Sequence, residues 1–351
     1  MTPALRIISP GLSTTIQDVG RSGFQRLGVP VSGALDPVAL HAANALAGNP
    51  GNTGALEVLY VGPTFAVDAD DTRLSFAGAD AAIAILADPD ARGGEIISTM
   101  RSVRVRRGQV IRVGSLKNGA TLYIAVEGGF SVEPALGSVS TDSRCRMGGW
   151  QGRPLVEGDA IALRHATATD RDEYRIDGLD LATPCRFRAV LGPQSDNFSE
   201  EEIKRFFAGE YTVSAGSDRM GMRLAGQTIR HRCGFNIVSD AIATGSIQVP
   251  GSGQPIVLLA DHQTTGGYPK IATVISADLP ALGRLPIGSR VSFAPVTVEQ
   301  AVAARRELSA TVSGIAGKMV RLAAPTAAAA VAARLLECNL ISGVQDAAAN
   351  A

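Results

Sequence analysis

GSIQVPGSGQPIVLLADHQTTGGYPKIATV, residues 245–274, sets a short apolar run between two glycine-rich turns, and the rest of the chain is read outward from it. The run from Ile256 to Leu259 follows a Gly/Pro turn and reads as a buried strand ending at Ala260. Asp261 and His262 then stand at the strand's mouth. Thr264-Thr265-Gly266-Gly267 lets the backbone turn back, because glycine reaches positive φ without a Cβ clash. Tyr268, Pro269 and Lys270 open the next apolar run, from Ile271 to Ile275. The pattern places a carboxylate and an ammonium on one loop, beside backbone amides that glycine leaves unshielded. An ordinary glycine-kinked hairpin has the same pattern.

Outside this stretch, most of the chain also reads as short strands between turn residues. One series runs from Leu5 to Val126 and a second from Arg186 to Phe293, a spacing typical of barrels and sandwiches. Three helices have readable starts. Asp36 stands before Pro37 as an N-cap and Gly48 closes that helix, while Ser199/Glu202 and Thr297/Gln300 are spaced as capping boxes. The segment SVRVRRGQVIRV, residues 102–113, alternates valine with arginine and reads as a half-exposed hairpin with a solvated basic face. Residues 166–183 are charged and lack an apolar period, so the domain boundary is placed there. TLYIAVEGGFSVEP, residues 121–134, faintly repeats PIVLLADHQTTGGYPK, residues 255–270: strand, acid, double glycine, proline. Two β domains of related shape are the expectation, followed by an Ala-rich tail.

Length and charge narrow the partners. The 351 residues suffice for two domains, and 33 Lys plus Arg balance 33 Asp plus Glu, so no global field argues for nucleic acid or an anionic membrane. No apolar stretch approaches the roughly 20 residues that span a bilayer. The four cysteines are scattered without a CxxC pair, which fits reduced thiols; a cytoplasmic location without a signal peptide is the expectation. Neither a GxxxxGK[ST] loop nor a strand-to-helix GxGxxG occurs, and the four histidines have no metal-ligand spacing, so no metal is expected. A GxSxG elbow is also absent.

Three polar clusters remain as candidates. TTIQDVGRSGFQRLGVPVSGALD, residues 14–36, is too long and polar for a simple connector and holds Gln17, Asp18, Arg21, Ser32 and Asp36. It suits either a substrate loop or a surface loop tied by Asp18–Arg21 pairing, and Asp36 suits either a cap or a substrate contact. SDRMGMRLAG, residues 217–226, offers Arg219 as a bidentate clamp for a carboxylate, or as half of a structural Asp–Arg pair. The third cluster is the opening loop, with Gln248 on the neighbouring strand.

These motifs together, with ALEVLYVGP at 55–63, resemble the biotin-dependent carboxyltransferase family, also called the allophanate hydrolase subunit 2 or KipA-like family, over about residues 5 to 305. Asp261-His262-Gln263-Thr264-Thr265-Gly266-Gly267-Tyr268 is most similar to the branch formed by the C subunits of 5-oxoprolinase, whereas urea carboxylase members carry a DGPSxGGF-type loop. Leu282-Gly283-Arg284 departs from the Ala-Gln expected there.

The resemblance implies a mainly β fold of two cyclophilin-like β-barrel domains, residues 1–170 and 185–305, with a few short helices and a helical tail over 306–351. It implies one component of an ATP-dependent 5-oxoprolinase that opens 5-oxo-L-proline to L-glutamate. The partners would be a B-type (allophanate hydrolase subunit 1-like) protein and a LamB/YcsF-like A-type protein, with ATP bound through the complex. Under that reading Asp261 or Lys270 transfers the proton, and Gln248 with the Gly266 and Gly267 amides stabilises the oxygen that gains charge. Arg219 holds the substrate carboxylate, and Tyr268, Ser32 and Asp36 complete the contacts. Two other activities occur in the family: carboxyl transfer to urea or a related amide from biotin on another chain, and non-catalytic antagonism of a kinase inhibitor.

Overall fold

The computed structural model describes residues 2–91 and 93–323. Within them the chain is mainly β with four α-helices. The first half forms two antiparallel sheets. One has six strands in the order Ala160–Ala162, Ala4–Ser9, Thr64–Val67, Val110–Val113, Ile83–Leu86, Gly94–Ile97. The other has seven: Ser13–Gln17, Ala55–Leu59, Lys117–Val126, Asp71–Asp80, Arg101–Arg106, Tyr174–Ile176, Met319–Arg321.

Lys117–Val126 shows why both faces of the second sheet are apolar. Its Leu122, Ile124 and Val126 enter the core between the sheets, while Tyr123 and Ala125 face the other way, as the two-residue strand period requires. Against that second face lies helix α1, Pro37–Ala47. Ala39, Ala42, Ala43 and Ala47 are fully buried on it, together with Leu40 and Leu46. Asp36 starts α1 as its position before Pro37 indicated: Oδ1 accepts from the Val38 and Ala39 amides.

The second half closes into a seven-stranded barrel: Arg186–Leu191, Lys270–Val274, Ser246–Gln248, Ile256–Leu258, Gly221–Gly226, Glu210–Val213, Arg290–Pro295. A parallel pairing of its first and last strands completes the ring. Helix α2, Glu200–Ala208, is capped by Ser199 and seats Phe206 on Phe293, with ring centroids 5.1 Å apart. The Glu202 carboxylate accepts from the Arg230 amide, so the expected capping box is half formed. Helix α3, Leu279–Gly283, is a short turn with no side-chain cap. Helix α4, Val298–Ser313, carries the full Thr297–Gln300 capping box.

The chain then returns to the first half, where Met319–Arg321 pairs with Tyr174–Ile176. Residue 306, where the tail was placed, lies within α4, and residues 324–351 of that tail are outside the described residues. No helix among the described residues is long and apolar enough to cross a membrane.

Candidate active site

Arg219 precedes the barrel strand Gly221–Gly226 and reaches across to the first half. Its Nε and Nη2 donate to both oxygens of Asp261 at 2.8 and 3.0 Å. Nη2 also donates to the Gly33 carbonyl at 2.6 Å, and Nη1 bonds Glu57. Four of the five guanidinium N–H groups are therefore spent inside the protein.

Glu57, 1% exposed, accepts further bonds from the Tyr123 hydroxyl at 2.5 Å and the Leu35 amide at 2.8 Å. The Asp36 amide donates to the Tyr123 oxygen at 2.9 Å, and Asp36 Oδ2 takes Arg284 Nη1 at 2.8 Å. Three carboxylates and two guanidinium groups thus knit the two halves together away from water. Burial works against the Arg219 cation, but Glu57 and Asp261 outweigh it and hold it protonated far above the ordinary arginine range. Burial first, and the Glu57 charge second, push the Tyr123 phenol well up.

Ser32 belongs to the same seam. Its φ is +54, its amide donates to the Ala260 carbonyl at 3.1 Å, and its buried Oγ has no partner. Asp18 and Arg21 do not pair with each other: Asp18 accepts from the Ser138 and Ser140 hydroxyls, whereas Arg21 donates to the Ala135 and Ser140 carbonyls.

Lys270 stands apart from Asp261. Its ammonium, 2% exposed, donates to Asp240 at 2.9 Å and to the Ala241 carbonyl at 3.2 Å. The hydrogen bond from Lys270, followed by that from Gln194, holds the Asp240 carboxyl below the usual range. Pairing of Asp240–Ala241 with Thr265–Gly266 brings this acid to the loop. The two charged groups of the opening loop are thus held in separate bridges. His262 is buried and neutral at pH 7, its pKa lowered by desolvation. The Gln263 carbonyl can only accept, so Nδ1 carries the proton at 2.6 Å and Nε2 faces the Thr244 hydroxyl at 3.1 Å.

Beside this frame, a cavity of about 310 Å³ opens at the barrel mouth, lined by Asp218, Met220, Arg223, Gln248, Gln263 and Tyr268 among others. Its most pointed feature is Gln248, only 2% exposed, whose Nε2 has no hydrogen-bond partner. Gly266 shows how that amide is accommodated: a Cβ there would lie 2.6 Å from Gln248 Nε2. Neither Gly266 nor Gly267 takes a positive φ, unlike Gly128 and Gly129 of the faint repeat, both at +79. The second double glycine supplies clearance rather than an unusual turn. Gly267 is tied by its carbonyl, which accepts from the Ile237 amide.

Of the expected residues, the structure brings Gln248 and Tyr268 to this cavity with Gly266 packed behind Gln248. It places Arg219, Asp261 and Asp36 in the seam, with Ser32 beside them. Gln263 and Arg223 were not singled out as ligands by the sequence. Arg223 forms no ion pair among the described residues. The cavity pairs this one cation with one acid, Asp218, and two side-chain amides. Such a lining suits a small molecule with a carbonyl and a single negative charge. It lacks the several cations that a triphosphate takes. No group of three or more His, Cys, Asp or Glu able to hold a metal occurs among the described residues.

Comparison with known proteins adds the context. Residues 27–295 match the family described as carboxyltransferase domain, subdomain A and B. The chain is 39% identical over 296 residues to the C subunit of 5-oxoprolinase from Haemophilus influenzae, covering 84% of this chain and 91% of that one. Its identity to the corresponding C subunit from Escherichia coli is 36% over 305 residues, covering 86% and 94%. The solved urea amidolyase of Kluyveromyces lactis superposes with a TM-score of 0.82 at 26% identity over 93% of this chain. This chain spans only 21% of that structure's length, and 56% of another solved chain that it matches.

Proposed function

Because the chain belongs to the carboxyltransferase-domain family of subdomains A and B, we propose that it is the C subunit of an assembly that opens 5-oxo-L-proline to L-glutamate with ATP. The supporting observation is its nearly end-to-end similarity to two 5-oxoprolinase C subunits. In this reading the partners are a B-type protein and a LamB/YcsF-like A-type protein, and the nucleotide sits on them, since the barrel-mouth cavity offers a single arginine.

The substrate is a five-membered lactam bearing one carboxylate. Gln248 lines the cavity and its Nε2 has no partner; a half-turn of the side-chain amide, away from Gly266, brings that donor to the lactam carbonyl oxygen. Arg223 takes the carboxylate in place of Arg219, whose donors are occupied. Tyr268 and Gln263 border the ring. Water adds to the carbonyl carbon, the C–N bond breaks and the departing nitrogen takes a proton; ATP hydrolysis supplies the driving force. A donor aimed at the carbonyl oxygen matters most when that oxygen gains charge.

Asp261 and Lys270 act here as positioning residues. Lys270 is the cross-strand neighbour of Gln248, and Asp261 fixes Arg219, which lies between Asp218 and Met220 of the cavity wall.

The fold shared with a urea amidolyase gives a second reading, carboxyl transfer with biotin carried by another chain. In that reading Gln248 would hold the ureido group of biotin, and bound biotin would supply an activated carboxyl group. The test is to assemble the chain with its A-type and B-type partners and assay glutamate release from 5-oxoproline. Release that requires ATP and this chain supports the proposal. A folded, complete assembly that releases none overturns it, and turnover of urea dependent on bicarbonate transfers the assignment to the second reading.

A further inference from the structure

A second cavity, of about 550 Å³, lies between the two halves on the other side of the strand end at Leu259. Val19 and Val38 wall it from the first half, Leu259 and Leu279 from the second, and Leu308 and Val312 of α4 form its roof. Its separation from the barrel mouth follows from strand geometry: Leu258 lines that site and Leu259 this one, because successive side chains point to opposite faces.

Three observations give this space a chemical preference. No Asp or Glu lines it. Arg305 of α4 lines it and forms no ion pair among the described residues. Ser32, only 5% exposed, lines it, and its buried hydroxyl has no hydrogen-bond partner. An isolated cation, a buried orphan hydroxyl and apolar walls are complementary to one kind of occupant. We infer that this interdomain cavity is a second ligand site, for a small organic monoanion with a short apolar body. The carboxylate meets Arg305 and Ser32, and the body covers the aliphatic walls. The roof helix begins at Val298, past residue 295 where the family match ends, so this site depends on structure outside the matched region. An occupant touches both halves and α4 at once, and therefore stabilises their closed arrangement.

Hexanoate is the probe and hexan-1-ol its uncharged control, titrated into the full-length chain by calorimetry and followed by thermal unfolding. The expected result is saturable one-to-one hexanoate binding that raises the unfolding midpoint and exceeds hexanol binding by about tenfold, the scale of one charge-assisted hydrogen bond. Arg305→Gln, on an exposed side chain, removes that advantage without changing the midpoint of the unliganded protein. Ser309→Trp, from the roof, fills the space and abolishes binding. Arg223→Gln at the barrel mouth leaves hexanoate binding unchanged. The inference is overturned by non-saturable binding, by equal binding of hexanol, by indifference to Arg305→Gln, or by loss of binding in Arg223→Gln.

Discussion

Arg219→Met tests the frame on which the site rests. The substitution keeps an unbranched stem but removes four internal hydrogen bonds to Asp261, Glu57 and the Gly33 carbonyl. All four are charge-assisted and three of them meet a carboxylate, at about 1.5–3 kcal/mol each before desolvation is counted. Most of that gross sum is cancelled by the cost of burying the ions, but removing one member strands the others. Glu57 is 1% exposed and Asp261 9%, so neither regains water without the halves separating. Breaking a buried pair from one side costs about 3–5 kcal/mol, a large part of the roughly 5–15 kcal/mol that holds a domain folded. The assay is urea unfolding at pH 7.5, followed by near- and far-ultraviolet circular dichroism. The variant should show a lower midpoint and, because the seam is lost first, two transitions. Arg219's folded pKa is raised above its unfolded value, so its contribution is fully present below the ordinary arginine pKa. The deficit should therefore be the same at pH 7 and 8.5. A loss of less than about 1 kcal/mol, in the range of exposed ion pairs, would refute the argument that this network is buried and indispensable.

Gln248→Leu separates function from folding: removing an unpartnered buried donor leaves stability equal or higher, while KM for 5-oxoproline in the assembled enzyme rises about tenfold, the worth of one hydrogen bond. A stability loss above about 2 kcal/mol with unchanged KM would instead make Gln248 a structural residue. His262 has a folded pKa depressed by burial, so the unfolded chain binds the proton first. Stability is then fully present above the ordinary histidine pKa and falls as pH drops through the folded value; His262→Gln should flatten the melting-temperature profile between pH 7.5 and 5, and an identical slope would contradict this account. Lys270→Met removes the bond to the Ala241 carbonyl as well as to the solvated Asp240. Under the positioning role kcat falls together with order in the loop, and Lys270→Arg restores part of both; loss of kcat with unperturbed amide exchange over 240–270 would return Lys270 to the chemistry itself.

What the sequence disclosed depended on how local the physics is. The starts of α1, α2 and α4 were legible because a cap is made by a side chain two or three residues from its donors, as at Asp36, Ser199 and Thr297. α3 was not, since Asp278 makes no cap there and gives its carboxylate to Arg188, 90 residues earlier. The same limit explains the site. Arg219 carries a bidentate signature, but its second acid, Glu57, lies 162 residues away. An acid within the apolar run ALEVLY was the one available clue, because a buried carboxylate needs a partner. Asp261 and Lys270, nine positions apart, read as facing groups, yet the short ladder from Asp240 supplies a nearer acid to the lysine. Gln248 was legible by its position, but its unsatisfied amide was not, since an orphan donor exists only once every neighbour is placed.

The seam and the cavity cannot vary independently. Asp218 and Met220, on either side of Arg219, line the barrel mouth, and the Arg219 carbonyl receives the Asp261 amide at 2.9 Å. The Leu259 amide bonds the Met220 carbonyl at 3.0 Å, so the strand end that divides the two cavities is pinned to the same three residues. Any shift of the first half that pulls Glu57 from Arg219 must move Asp218 and Met220, and with them the wall opposite Gln248. The isolated barrel, residues 185–295, would keep every ladder hydrogen bond of its ring but lose Glu57, the Gly33 carbonyl and Tyr123. Arg219 would then be free to leave Asp261 for solvent or for a ligand anion. A barrel expressed alone should accordingly fold, yet bind 5-oxoproline no better than it binds acetate. The two-domain chain should discriminate between them, since only there is the cavity's shape fixed before the ligand arrives.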